Sequence, residues 1–99
     1  MKKIAVLTDL MLDEVCSAKG YAERYIEWKV KGDTNWASRF KTMANDELRH
    51  AMIIHELAQK EIDELSSVFV PPQEMQEKWS ECHTKYVEKA AWVKQMLEM

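Results

Sequence analysis

Only two places in this chain of 99 residues are built to stop a helix. Gly32-Asp33-Thr34 is the first: glycine suits the residue just past a helix end, and Asp33 or Thr34 can cap the next helix. Pro71-Pro72 is the second, and Pro72 can occupy the first turn of a third helix. The segments between these breaks are long and rich in helix formers. The spacing predicts α1 over about 3–31, α2 over about 34–66 and α3 over about 73–98, all in one domain covering 1–99. Fold class is therefore all-α. No internal repeat or low-complexity tract interrupts the pattern.

Within each segment, apolar residues recur by alternating steps of three and four. The α1 stripe reads Ile4, Leu7, Met11, Glu14, Ala18, Tyr21, Tyr25, Trp28. The α2 stripe reads Trp36, Phe40, Met43, Glu47, His50, Ile54, Leu57, and that of α3 Met75, Trp79, Cys82, Tyr86, Ala90, Val93, Leu97. Such stripes belong to helices packed in an antiparallel bundle. The short α1–α2 connection makes those two helices antiparallel neighbours.

Composition narrows what such a bundle can do. The chain is 46% hydrophobic and 31% charged, which suits a folded helical protein, and its net charge of −3 is spread without a basic stripe. Nucleic acid is thus not an expected partner. No apolar run approaches the ~18 residues needed to span a bilayer. The opening MKKIAVLTDLML carries two lysines, yet Asp9 interrupts its apolar run and no small-residue cleavage site comes after it. Cys16 and Cys82 are isolated, with no CxxC pair to suggest a redox dithiol or a thiolate metal knuckle. A cytoplasmic protein without a membrane partner is the expectation. A chain this short also hides a modest share of its surface, so oligomerisation is a natural source of further burial.

The residues that carry chemistry are those that interrupt the stripes. Glu14 falls in the middle of the α1 stripe, and Glu47 and His50 in the middle of the α2 stripe. An isolated carboxylate in a core costs several kcal/mol unless it is neutralised, paired or bound to a metal. With the turn near residue 33, position 14 lies roughly opposite position 52, within about one helical turn of both Glu47 and His50. A glutamate facing a Glu-x-x-His on the neighbouring helix is half of a di-iron carboxylate arrangement. Oxygen ligands with imidazole suit iron or manganese. Blander readings stand beside this one. Glu-x-x-His is common on helices, Glu47 can pair with Arg49 or Arg39, and His50 can be a satisfied core histidine.

These residues resemble a known family. The run from Glu14 to Tyr21, followed by Ala44, Glu47, His50 and Ala51, is similar to the first half of rubrerythrin-type ferritin-like proteins. There a helix glutamate is followed seven residues on by a tyrosine, and the next helix carries Glu-x-x-His-Ala. The likeness covers roughly residues 10–60. It implies a ferritin-like helical hairpin, iron ligands Glu14, Glu47 and His50, and Tyr21 close to the site. Two departures matter: no four-cysteine rubredoxin-like module is present, and α3 offers Glu77, Glu81, His83 and Glu88 but no second Glu-x-x-His. One chain cannot supply a full ligand set.

A two-fold homodimer repairs the inventory, since two copies give four carboxylates and two imidazoles across an isologous interface. Encapsulated ferritins resemble this chain in carrying a two-helix half-site. No separate targeting tail extends beyond α3, so the expectation does not include an encapsulin shell. It is a four-helix bundle completed by dimerisation, holding two iron (or manganese) ions, with α3 outside or swapped across. A ferroxidase-type oxidoreductase, oxidising Fe(II) with oxygen or peroxide, is what the resemblance implies. The alternative is a non-catalytic helical dimer, an interaction or structural protein in which the polar trio only fixes register.

Lesser candidates have simpler explanations. Tyr21 gains a role near the metal only from the resemblance; a core tyrosine is the plain reading. Asp46 could orient an imidazole across the dimer, as carboxylates behind metal ligands do, or simply be solvated. His55, flanked by Ala51, Ala58 and Ile62, reads as a core or interface histidine, and His83 as partly exposed. Glu74–Lys78 and Glu81–Lys85 read as solvated pairs. Gly20, unfavourable inside a helix, suggests a close helix–helix approach.

Overall fold

The computed structural model describes residues 2–99. Among them are three α-helices and no strand: α1 Lys2–Val30, α2 Thr34–Ser66 and α3 Gln73–Leu97. The first break works through two residues. Gly32 takes φ +83°, its N–H donates to the Lys29 carbonyl, and the Asp33 N–H donates to the Trp28 carbonyl, both at 3.0 Å. This closes α1 with the paired bonds of a glycine C-cap. Asp33 then opens α2, its Oδ1 accepting from the Trp36 N–H at 3.0 Å. At the second break Pro72 is the cap itself and not a first-turn residue, with φ −55° and ψ 143°. Its carbonyl accepts from the N–H groups of Met75 and Gln76.

So short a turn folds α2 back along α1. The rings of Trp28 and Trp36 lie 5.1 Å apart, and those of Tyr21 and Phe40 6.3 Å apart. α3 runs in the direction of α1 and packs mainly on it. Lys78 approaches Asp9 at 3.9 Å near one end, and Lys29 Nζ donates to the Met99 carbonyl near the other. The molecule is a rod of 55 × 17 × 17 Å with a radius of gyration of 15.9 Å. A compact chain of this length would have about 13 Å. No helix among the described residues is long and apolar enough to cross a membrane.

The buried rows depart from two of the predicted stripes. On α1 the core row is Ile4, Thr8, Met11, Val15, Ala18, Ala22 and Tyr25. Leu7, Glu14, Tyr21 and Trp28, expected in the core, form a half-buried row at its edge. On α2 the core is an alanine strip, Ala37, Ala44, Ala51 and Ala58, joined by Leu48. The large residues expected there face outward: Trp36, Met43 and Leu57 are 49%, 40% and 49% exposed. The α3 stripe holds for Cys82, Tyr86, Ala90, Val93 and Leu97, whereas Met75 and Trp79 are only half-buried. The cause is side-chain size. Alanine lets two helices approach toward the short end of the usual ~8–10 Å separation. α1 therefore packs along the narrow strip, and the bulkier residues splay to either side.

Gly20 corrects a further expectation. It is exposed, and a Cβ built there meets nothing within 4 Å. No close approach compensates for it. Gly20→Ala is accordingly expected to stabilise the chain by about 1 kcal/mol. Urea unfolding followed by circular dichroism checks this; an unchanged or lower midpoint would contradict it.

Candidate metal centre

The edge row of α1 and the outer rows of α2 meet at one polar point. Glu14 comes from the row Leu7–Glu14–Tyr21–Trp28. Glu47 lies in the half-buried row Phe40–Glu47–Ile54, and His50 in the exposed row Trp36–Met43–His50–Leu57. Because α1 and α2 are antiparallel neighbours, the three side chains converge. His50 Nδ1 is 3.7 Å from Glu14 Oε2 and 3.8 Å from Glu47 Oε1. One donor atom from each residue lies within 4.8 Å of the others.

Their depth differs from the sequence expectation. The trio sits on the open edge of the hairpin and not in its core: Glu14 is 28%, Glu47 26% and His50 47% exposed. The alanine strip takes the core position that the stripe had assigned to them. Large apolar residues border the trio on this face. Met43 and Leu57 flank His50 along α2. A cleft of about 480 Å³ continues the face, its apolar wall formed by Val6, Leu7 and Leu57 with Lys2, Lys3 and Glu61 beside them.

The bland pairings do not form. Arg49 binds Asp46 at 3.3 Å, and Arg39 Nε donates to Asn35 at 3.4 Å. Among the described residues, no lysine or arginine lies within 4 Å of Glu14 or Glu47; each has only His50. Asp46, a candidate for orienting an imidazole, is turned toward Arg49. Tyr21, the other supporting candidate, packs on Phe40. Of the α3 pairs, Glu81–Lys85 forms at 3.0 Å, while Lys78 turns to Asp9.

Two carboxylates this close without a cation resist ionising together. Hydrogen bonding to Glu14 pushes the Glu47 carboxyl above the usual carboxylate range; partial burial and the Glu14 charge add to this, and His50 opposes it. A cation between them would remove that conflict. The donor set, two carboxylates and one imidazole, fits iron or manganese by ligand type. No family model, curated protein or solved structure matches the chain.

Sequence reasoning found the three donors and missed their surroundings. The seven-residue spacing of Ala37, Ala44, Ala51 and Ala58 was the signal that could have placed the core correctly.

Proposed function

We propose that this chain is a metal-binding, ferritin-like protein whose di-iron (or di-manganese) carboxylate site forms at the interface of a homodimer. The observation that carries the reading is the convergence of Glu14, Glu47 and His50, without a cationic partner, on an exposed apolar face. Apolar surface of this kind favours a partner. A second copy related by a two-fold axis through the polar layer would bury it and double the donors to four carboxylates and two imidazoles. Glu14 and Glu47 from both copies would neutralise two divalent ions, and His50 would cap each. Iron held there would supply the Fe(II)/Fe(III) couple, with oxygen or peroxide as the oxidant.

The test is metal analysis of protein purified without chelator, and then Fe(II) oxidation in air. About two metal ions per dimer and oxidation above the buffer blank are expected. Protein without bound metal and without oxidation above the blank would sink the proposal. The outward Trp36, Met43 and Leu57 also favour a second reading, a structural dimer without chemistry. That reading expects the dimer with neither metal nor oxidation.

A further inference from the structure

Away from the polar trio, a second cluster joins α2 to α3. His55 of α2 stacks on Tyr86 of α3, centroid to centroid 4.8 Å with planes 11° apart. Trp79 lies 5.8 Å from the same imidazole and His83 5.0 Å from it. Trp79 and His83 also pack on each other at 5.6 Å. Contact between α2 and α3 is otherwise sparse, since α3 rests mainly on α1. One imidazole and three α3 rings therefore supply much of the tie between these helices.

That imidazole is held in an unusual state of bonding. His55 Nε2 is buried and meets no hydrogen-bonding partner. As a bare nitrogen it loses one acceptor interaction. As an N–H of an imidazolium it would be a charged donor facing rings, and burying an unpaired charge costs far more. Stacking a cation on Trp79 or Tyr86 returns only about 0.5–2 kcal/mol.

We propose that His55 is a pH-sensitive latch, holding α3 against α2 when neutral and releasing it on acidification. Burial sets the direction, and the groups facing the ring adjust it. From α3 come His83 and the Tyr86 phenol; from α2 comes Glu56; among the described residues no charged group of α1 contributes. Burial pushes the His55 imidazole below its ordinary 6.5, His83 pushes the same way, and Glu56 opposes. The docked state thus binds the proton less readily than the undocked one. Docking is at full strength above about 6.5, weakens as pH falls through the docked value, and levels off once both states are protonated.

Amide hydrogen exchange resolved by residue, compared at pH 7.5 and 5.0 after correction for intrinsic rates, tests this on the full chain. Protection over Gln73–Leu97 is expected to fall at the lower pH relative to α1. In His55→Phe, which keeps a flat ring against Tyr86, protection of α3 is expected to be the same at both values. The imidazole resonance of His55 in the unmodified chain should titrate below 6.5, and higher in His83→Gln than in the parent. Unchanged α3 protection in the parent would overturn the latch. So would a loss that persists in His55→Phe. Should His55→Phe not fold, a His55 midpoint at or above 6.5 overturns it equally.

Discussion

His50→Ala is expected to strip metal from the protein while leaving its helices and its self-association intact. His50 is nearly half exposed, so its removal opens no buried cavity. Its role in the proposed centre is different: it is the only nitrogen donor each copy supplies. Losing a group that merely orients a metal ligand costs 10–100-fold in affinity. Removing a ligand itself from both copies should therefore cost at least about a thousandfold. Glu47→Gln should act similarly, because it keeps the shape but removes the charge that a divalent ion needs. Isothermal titration with Fe(II) or Mn(II) under anaerobic conditions measures both. Parent-like affinity in both variants would show that the ligands lie elsewhere. Loss of metal with the dimer preserved would instead separate chemistry from assembly, which the structural reading cannot accommodate.

Met43→Asp should have the opposite signature, breaking the dimer first and the metal site as a consequence. Met43 is 40% exposed and one step of seven from His50 on the outward row, so the folded chain tolerates a charge there. In the proposed dimer the same charge would be buried without a partner. Such a charge costs roughly 3–5 kcal/mol, or about two to three and a half decades in the dissociation constant. Sedimentation equilibrium across micromolar concentrations should show a monomer for Met43→Asp and a dimer for the parent. Bound metal should fall with it, because each half-site offers only Glu14, Glu47 and His50. If Met43→Asp remains dimeric, the interface is not this face.

The order in which these properties could be read from the chain reflects what each depends on. The helices and their breaks depend on local chemistry. Gly32 with Asp33, and Pro71 with Pro72, carry their own instructions. The meeting of Glu14 with Glu47 and His50 depends on one short turn and the rise of a helix, and was equally legible. What failed was the assignment of inside and outside. α2 carries two apolar rows, one of alanines and one of large residues, and a periodicity argument prefers the large ones. Periodicity alone does not say which of two apolar rows faces the core. Gly20 failed for a related reason: a costly glycine suggested a contact, and none is there. The ring cluster around His55 was hidden because it joins residues of two helices whose relative placement no local pattern encodes.

The alanine strip works as a ruler. Ala44 lies three residues before Glu47, and Ala51 comes directly after His50, both fully buried against α1. The gap between the two carboxylates is thus set by methyl groups that donate nothing to a metal. Exchanging Ala51 for a larger residue would keep all three donor residues yet move α1, and Glu14 with it, outward. Tuning of the proposed centre could therefore be inherited through residues with no chemistry of their own. A comparison of variants that looks only at glutamates and histidines would miss where the adjustment is made.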